Sequence, residues 1–433
     1  MESLDRLYER LSRRNFDDIV LQQVSGAVSQ VRFSNNRVDL ESNWVEETIE
    51  VFAARGKKII AYEINDLSRL DSAVEFLTGT VDRMPENPSY EGINTVKTDQ
   101  GNWNSKARES DLNDYALAMI GSAVDNGAQK CAGILYRKTN TTSLITPYNS
   151  LSVTTSGHEA VIRSFAGEST GQEALHFGPD TTFSDRVLEK MGKESAQTAS
   201  RKVPRRVGDA GKIDVILSPY VIGSLLSYSA QYFSAESVIA GLSFLEGKIG
   251  KDVSSRAVSL LDDPTDRRGI AFVPFDMEGT ITRRNVLIEK GILKTYVHSC
   301  STAKRFNTHT TGNAGILNPM PWQLKLMPGT GKVDSMISES RNALLILNTW
   351  YTRFQDDRNG VFSTVPRDGI FHVIDGEIVE SWSGVRISDS IPNILKSITQ
   401  TSRDTKWVKW WLEISPSEMP FASLESINIS RSF

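Results

Sequence analysis

The spacing of hydrophobic residues predicts that helices and strand-rich runs alternate in the first half of the chain. Leu4, Leu7 and Leu11 recur at helical spacing between charged residues, which predicts an amphipathic helix at the N-terminus. Between positions 18 and 65 the pattern changes to short β-type runs, which indicate an antiparallel meander. Four turn-like breaks separate these runs: Ser25-Gly26, Asn35-Asn36, Asn43-Trp44 and Arg55-Gly56.

A similar order of elements is predicted a second time. A helix follows the meander, with its apolar residues on one face: Leu67, Leu70, Val74, Leu77, Val81 and Met84. The stretch 84–101 is rich in proline, glycine and polar residues, which is typical of a connector. A helix at about 111–129, strand-like runs at 131–177 and a helix at about 184–200 come next. The sequence shows no residue-level repeat, so the recurrence is one of architecture.

The pattern changes again beyond Gly211. Residues 213–218 are typical of a buried strand, and Pro219 suits the first position of a mostly helical segment that extends to Phe244. Hairpin turns are predicted at Lys290-Gly291 and at Asp375-Gly376. We therefore predict an α+β protein. Its N-terminal region combines helices with antiparallel meanders, and its C-terminal domain consists of curved antiparallel sheets with helices.

The chain of 433 residues is long enough for more than one hydrophobic core. We predict an N-terminal α+β region at 1–205, with sub-regions at about 1–84 and 105–205 and a connector at 85–104. A C-terminal domain is predicted at 206–433. The basic stretch 201–206 lies at the boundary, and we interpret it as a solvated linker rather than a handle for nucleic acid.

Composition and charge exclude several classes of protein. The chain has 49 Lys and Arg against 53 Asp and Glu, a net charge of −4, which argues against nucleic acid or an anionic membrane as the main ligand. No run approaches eighteen apolar residues and the N-terminus is charged, so we expect neither a membrane span nor a secretory signal. The only cysteines, Cys131 and Cys300, rule out a disulfide framework and indicate a reducing cytoplasm.

The five histidines give no clear metal motif. His158-Glu159 begins like a zinc-protease helix, but no second histidine follows at the required distance, and the surrounding residues are typical of a strand. His298 and His309 flank a short helical piece around Cys300, yet they are eleven positions apart and no helical face joins them. We interpret neither group as a metal site.

Two pairs of carboxylates offer material for general acid–base chemistry: Asp262-Asp263, and Asp276 with Glu278. Asp-Pro sequences form turns readily, and the second pair resembles an ordinary loop, so we favour structural roles for both.

Residues 406–411 interleave lysine and tryptophan, as a stacking platform for single-stranded nucleic acid does. On a strand, Trp407, Lys409 and Trp411 share one face, while Val408, Trp410 and Leu412 share the other. A strand that is apolar on both faces is typical of a core or a subunit interface, and we prefer that interpretation.

Four segments occur in a fixed order along the second half of the chain: Leu261–Pro264, Pro274–Gly279, Thr282–Gly291 and Thr311–Asn313. This ordered series resembles the TldD/PmbA family, also called peptidase U62 or "modulator of DNA gyrase". The resemblance extends more loosely over nearly the whole chain. It implies the fold of that family and a connection with its metallopeptidase activity.

The resemblance also implies what this chain lacks. In the TldD branch, a helix after the buried strand carries His-Glu-x-x-x-His, and a cysteine near the C-terminus completes a zinc site. Here Ser227 and Tyr232 fall on the two histidine positions and Tyr228 falls on the glutamate, and no cysteine follows Cys300. Neither serine nor neutral tyrosine is a competent zinc ligand, and tyrosine is a poor general base. These three zinc-motif positions imply a TldE/PmbA-type chain with no catalytic residue, metal or cofactor of its own.

The function implied by the resemblance is that of a non-zinc subunit, inactive alone, in a cytoplasmic zinc-dependent metallopeptidase complex. Zinc is expected in a TldD-type partner, with which the chain forms a heterodimer or a larger assembly that degrades small or unfolded polypeptides. A homodimer in the absence of that partner stays open, and no membrane or nucleic-acid ligand is expected. The family-motif loops are expected to line a cavity with five residues: Asp276, Glu278, Thr311, Gly312 and Asn313.

Two alternative functions stay open. The first is an interaction or regulatory protein of the modulator-of-DNA-gyrase type, with no peptidase role. The second is an independent hydrolase that uses Asp262, Asp263, Asp276 or Glu278.

Overall fold

A computed structural model of the protein describes residues 2–105, 111–409 and 415–432. In these ranges helices pack on two β-sheets, which confirms the predicted α+β class. The helices are α1 (Glu2–Ser12), α2 (Leu70–Val81), α3 (Leu112–Asp125), α4 (Asp185–Ala199), α5 (Pro219–Ser229), α6 (Ala235–Ile239), α7 (Cys300–Arg305), α8 (Val333–Ser338) and α9 (Ile391–Ser397). Short 3-10 turns are Leu67–Arg69 and Ala230–Phe233. None of the described helices is long and apolar enough to cross a membrane.

The N-terminal sheet is antiparallel throughout and has the strand order β3-β2-β1-β4-β5-β6. Its strands are β1 (Asp18–Ser34), β2 (Arg37–Arg55), β3 (Lys58–Ile64), β4 (Lys130–Ile145), β5 (Ser150–Ala166) and β6 (Ser169–Phe177). The predicted turns at Asn35-Asn36 and at Arg55-Gly56 are confirmed, since β1 ends before the first and β2 ends at the second.

The predicted breaks at Ser25-Gly26 and Asn43-Trp44 were wrong, because β1 and β2 run through them without a turn. Gly26 is paired on both sides, with Glu46 and with Asn140. A Cβ atom at Gly26 would lie only 2.6 Å from Oδ1 of Asn140. This glycine therefore permits a close side-chain approach within the sheet rather than a reversal of the chain.

Two pairs of helices cover one face of the N-terminal sheet. Leu21 of β1 belongs to the core under α1 and α2, whereas Val31 of the same strand belongs to the core under α3 and α4. These residues are ten positions apart, so they lie on the same face of the pleat. The predicted architectural recurrence thus corresponds to two helical layers on one continuous sheet.

The C-terminal sheet has the strand order β11-β10-β9-β12-β18-β8-β13-β14-β15-β7, and β16 and β17 pair beside this path. Its strands are β7 (Arg205–Val207), β8 (Gly211–Leu217), β9 (Leu260–Asp262), β10 (Asn285–Glu289), β11 (Ile292–Leu293), β12 (Leu324–Leu326), β13 (Asn342–Asp356), β14 (Val361–Ile374), β15 (Glu377–Ser383), β16 (Val385–Ser390), β17 (Ile398–Val408) and β18 (Ser417–Arg431). Both predicted hairpins are confirmed, with positive φ at Lys290-Gly291 and at Asp375-Gly376.

The sequence predicted a solvated linker at 201–206. That prediction was partly wrong, because Arg205 and Arg206 begin β7. The guanidinium of Arg206 is fixed by a 2.8 Å hydrogen bond to Glu380 and lies 4.8 Å from the ring centroid of Trp382. Strand pairing with β15 adds this segment to the edge of the C-terminal sheet, and these side-chain contacts hold it there.

Helix α5 forms the centre of the C-terminal core. Every residue of the helix except Tyr228 is buried, which is typical of a helix enclosed on all sides. The Ser218 side chain accepts a hydrogen bond from the backbone N–H of Val221, and Pro219 is the first helical residue, as predicted. The mostly helical segment then continues through the 3-10 turn and α6 but ends at Ile239, five residues before the predicted end.

Half-buried charged groups join the two sheets. The ammonium of Lys406 in β17 lies 2.8 Å from carboxylate oxygens of both Glu173 in β6 and Glu194 in α4. The Tyr220 hydroxyl donates to Glu173 at 3.1 Å and accepts from the backbone N–H of Ala174 at 2.7 Å. These contacts hold the N-terminal sheet against α5 and the C-terminal sheet.

Candidate functional site

The three zinc-motif positions lie at the end of α5 and in the 3-10 turn that follows. The fully buried Oγ of Ser227 accepts a 2.9 Å hydrogen bond from the backbone N–H of Ser415. The ring of Tyr232 is also fully buried and packs against Phe244 and Phe354, with centroid distances of 4.8 and 5.8 Å. Both side chains therefore serve as packing groups of the core.

These residues do not fit a zinc ion. Ser227 already uses its oxygen for a hydrogen bond, and burial raises the pKa of Tyr232 well above its usual value, so the phenol stays protonated. A zinc site needs thiolate, imidazole or carboxylate donors, which neither position supplies. Within the described parts of the chain, no three His, Cys, Asp or Glu side chains are grouped so that they could hold a metal.

The histidines of the sequence motifs occupy different environments. His158 lies on β5, as predicted, and stacks on Phe183 with a centroid distance of 4.2 Å. His298 is buried against Phe306, while His309 is exposed. Burial lowers the pKa of both His158 and His298 to about 4, so these rings are neutral at physiological pH.

The family-motif loops come together in one buried hydrogen-bond network. The carboxylate of Asp262 accepts hydrogen bonds from the backbone N–H groups of Trp322 and Gln323, both at 2.8 Å, and from Nδ2 of Asn313 at 2.6 Å. Asn285 in turn donates from its Nδ2 to the Oδ1 of Asn313 at 3.1 Å. Burial raises the pKa of Asp262 to about 6, although these donors oppose the shift.

Asp276 organises its own loop. Its Oδ1 accepts from the backbone N–H groups of Glu278 and Thr280, both at 2.9 Å, and its Oδ2 accepts from that of Ala314 at 3.0 Å. A carboxylate that accepts three backbone hydrogen bonds fixes the loop conformation. The predicted structural role of this loop is therefore consistent with the geometry.

The Thr311–Asn313 segment is fixed in a similar way. The Thr311 hydroxyl accepts a 2.7 Å hydrogen bond from the backbone N–H of His298, and the Gly312 carbonyl accepts one from the indole of Trp322 at 3.0 Å. Gly312 has a φ of 74°, and a Cβ there would lie 2.8 Å from the carbonyl oxygen of Ile281. Only glycine meets both requirements at this position.

A cavity of about 250 Å³ lies between the N-terminal sheet and these loops. Of the five motif residues that we expected to line a cavity, Glu278 lies in its wall. The described structure places the other four, Asp276, Thr311, Gly312 and Asn313, in the hydrogen-bond network rather than in this wall.

Two acidic residues, Glu236 and Glu278, lie in the cavity wall, and Glu278 is the one that belongs to a motif loop. Its Oε2 accepts a 3.0 Å hydrogen bond from the backbone N–H of Cys300. Burial, and then the neighbouring Asp276, raise the pKa of Glu278 well above its usual range. Burial and Glu278 likewise raise the pKa of the Cys300 thiol. A protonated carboxyl is a poor general base and a protonated thiol is a poor nucleophile, so Glu278 and Cys300 give the independent-hydrolase alternative no support.

Sequence reasoning missed the other residues of this cavity, among them Tyr90, Glu236 and Ser301. The Tyr90 hydroxyl donates to Asp18 at 2.6 Å, which ties the connector to β1. The Ser301 hydroxyl donates to the Gly92 carbonyl at 2.9 Å and accepts from the backbone N–H of Glu91 at the same distance. Each contact joins residues far apart in sequence, so no local signal could have identified them.

The lysine- and tryptophan-rich segment lies at the junction of the two sheets. Trp407 is half-buried and contacts the edge of His176, with centroids 5.6 Å apart, while the ammonium of Lys325 lies 5.1 Å from its ring centroid. Val408 is buried, and Lys409 pairs with Glu159 at 3.1 Å. The described part of the segment thus faces the interior. The prediction also assigned Trp410, Trp411 and Leu412 to faces of this strand, and these three residues lie outside the described residues.

Comparisons with known proteins extend these observations. Residues 210–431 match the model of the PmbA/TldA metallopeptidase C-terminal domain. A metalloprotease of Methanothermobacter thermautotrophicus is 26% identical over 223 residues, which are 50% of this chain and 48% of that protein. A metalloprotease PmbA homologue of Haemophilus influenzae is 27% identical over 217 residues, covering 49% and 46% of the two chains. The chain spans about half the length of these curated relatives.

Solved structures share the fold over the whole chain. TldE from Thermococcus kodakarensis has a TM-score of 0.80 at 17% identity, covering 99% of this chain and 100% of that one. A protein from Thermotoga maritima, described as a modulator of a DNA gyrase, has a TM-score of 0.79 at 19% identity and covers 99% of both chains. The domain match covers half of this chain and includes the motif loops and α5 described above. The chain therefore belongs to the PmbA/TldD family of metallopeptidase-like proteins.

Proposed function

We propose that this chain is the non-zinc, TldE/PmbA-like subunit of a cytoplasmic TldD/TldE-type metallopeptidase complex that degrades small or unfolded polypeptides. The proposal depends on which residues occupy the three zinc-motif positions and on what their side chains contact. Ser227 and Tyr232 are packed into the core, and neither supplies a donor that zinc prefers. The names of the curated relatives, which are metalloproteases, and the fold shared with a TldE structure support this assignment.

In this proposal the metal chemistry belongs to a TldD-type partner, and this chain supplies shape. Helix α5 keeps its central place in the C-terminal core, where Ser227 links it to the segment before β18. The hydrogen-bond network around Asp262, Asp276 and Asn313 holds the motif loops rigidly. A rigid subunit of this kind would enclose the partner's site and restrict which polypeptides reach it.

The alternative is a regulatory protein that acts near DNA, because one structural neighbour is described as a modulator of a DNA gyrase. The net charge of −4 does not favour direct contact with a phosphate backbone. We therefore treat DNA binding as an outcome of the test rather than as a second proposal.

The test is co-expression of this chain, carrying an affinity tag, with a related chain from the same genome that contains His-Glu-x-x-x-His. We expect the two chains to co-purify in equal amounts and to cleave an unfolded polypeptide in a reaction that a chelator abolishes. A partner whose motif glutamate is changed to glutamine serves as the control, because it should assemble but not cleave. Failure to associate, or duplex-DNA binding with a steep salt dependence by this chain alone, would overturn the proposal.

A further inference from the structure

A second cavity, of about 340 Å³, lies between the edge of the N-terminal sheet and the C-terminal sheet. Four arginines from separate segments of the chain line it: Arg163 of β5, Arg201 before β7, Arg205 of β7 and Arg367 of β14. We call this cavity the arginine cleft. It shares no lining residue with the Glu278 cavity and includes none of the zinc-motif positions.

Acidic side chains balance only part of the positive charge in the arginine cleft. The buried Asp368 is paired with Arg163, whose Nη2 and Nε lie 2.7 and 2.9 Å from Oδ1. Glu168 is almost fully exposed and lies 3.6 Å from Arg205. Within the described residues, Arg201 and Arg367 form no ion pair. Two guanidinium groups in the cleft are therefore available to an anion.

Aromatic rings orient these two guanidinium groups in advance. The guanidinium carbon of Arg367 lies 4.4 Å from the ring centroid of Trp350, and that of Arg201 lies 5.4 Å from the ring centroid of Phe371. Stacking holds the plane of a guanidinium group while its N–H edge stays free to donate. An arginine held in this way loses little side-chain entropy when it binds a carboxylate or a phosphate in bidentate fashion.

The remaining lining supports a small ligand. The hydroxyl group of Ser169 can donate a hydrogen bond to a ligand, whereas those of Thr198 and Ser381 already donate to backbone carbonyls. Ile370 and Phe371 supply an apolar wall. A volume of about 340 Å³ lies in the range of small-molecule sites and is too small for a nucleic-acid duplex. We propose that the arginine cleft binds a small ligand or a peptide end through an oxyanion, either a phosphate or a carboxylate. This proposal is independent of the proposed peptidase role.

The test compares the intact protein with Arg201→Gln/Arg367→Gln, in isothermal titration at low ionic strength. Three probes are used: inorganic phosphate, a short peptide with a free C-terminal carboxylate, and the same peptide as its amide. The matched control is Arg256→Gln, because Arg256 is exposed, lies outside the cleft and forms no ion pair with a described residue. Arg163 is left unchanged, since its loss would leave the buried Asp368 without its cation.

We expect saturable binding of phosphate, of the free-acid peptide or of both, and none of the amide. The double variant should bind at least about tenfold more weakly, while Arg256→Gln should bind as the intact protein does. Arg367→Lys should also weaken binding, because an ammonium keeps the charge but lacks the fork-shaped donor pair. Binding of phosphate alone or of peptide acid alone identifies the source of the oxyanion. No binding of either probe, unchanged binding by the double variant, or an equal loss in Arg256→Gln would overturn the proposal.

Discussion

The side chain of Ser227 accepts a 2.9 Å hydrogen bond from the backbone N–H of Ser415. This contact joins the end of α5 to the segment before β18, and both residues are buried. At the position where a TldD-type chain is expected to hold a zinc ligand, this chain therefore has a structural hydrogen bond.

Replacement of Ser227 by alanine should lower the free energy of unfolding by about 1–3 kcal/mol, because the buried Ser415 N–H would lose its partner. Urea unfolding followed by circular dichroism measures the change. The matched control is Ser237→Ala, since Ser237 is half-buried in α6 and its hydroxyl forms no hydrogen bond with a described residue. That variant should stay within about 0.5 kcal/mol of the unchanged protein. Equal values for the two variants would contradict a structural role for Ser227.

Tyr232 should contribute mainly through the packing of its ring. Tyr232→Ala removes the contacts with Phe244 and Phe354 and should cost about 3–5 kcal/mol. Tyr232→Phe keeps the ring and should change the stability by less than about 1 kcal/mol. Denaturant midpoints, compared at a constant m-value, measure both changes in stability. If Tyr232→Phe proved as damaging as Tyr232→Ala, the hydroxyl would have a role that packing does not explain.

Lys406 should be essential to the contact between the two sheets. Lys406→Ala leaves Glu173 and Glu194 close together without their shared cation, and we expect a loss of about 3 kcal/mol. The double variant Lys406→Ala/Glu173→Gln should recover part of that loss, because one of the two carboxylates is then neutral. Thermal unfolding of the two variants measures the recovery, and a double variant less stable than the single variant would refute this explanation.

Glu278 should make the stability of the protein depend on pH. Because its pKa is raised in the folded state, the folded protein binds more protons than the unfolded chain above the ordinary pKa of 4.5. This contribution to stability is present at low pH and is lost as the pH rises, by up to about 1.4 kcal/mol per pH unit.

Glu278→Gln removes this titration, so the variant should gain stability relative to the unchanged protein as the pH rises from about 5.5 to about 8.5. Urea unfolding at each pH measures the difference. Glu339→Gln serves as the control, because Glu339 is exposed and should give a curve parallel to that of the unchanged protein. A constant difference between Glu278→Gln and the unchanged protein would show that Glu278 does not titrate abnormally.

Local patterns in the sequence predicted most of the fold. Leu4, Leu7 and Leu11 are all buried in α1, and the turns at Lys290-Gly291 and Asp375-Gly376 adopt the positive φ angles that glycine favours. Each of these features depends on residues that are close in sequence, so periodicity and turn chemistry suffice to identify them.

The features that the sequence did not predict depend on contacts between distant residues. The local sequence at Gly26 resembles a turn, and only strand pairing shows that Asn140 lies beside this glycine. Tyr90 enters the Glu278 cavity only because the connector folds against β1. In the arginine cleft, Arg163 and Arg367 are about two hundred positions apart, and only the packing of one sheet on the other brings them together.

If zinc belongs to the partner alone, as we propose, the isolated chain should hold none, and its metal content decides the question. The purified chain is dialysed against zinc, then against metal-free buffer, and its zinc is measured by mass spectrometry together with its peptidase activity. A related chain with His-Glu-x-x-x-His, treated in parallel, is the positive control and should retain about one zinc ion per chain. We expect no stoichiometric zinc and no peptidase activity for this chain. One tightly bound zinc ion, removed by a chelator together with activity, would contradict it.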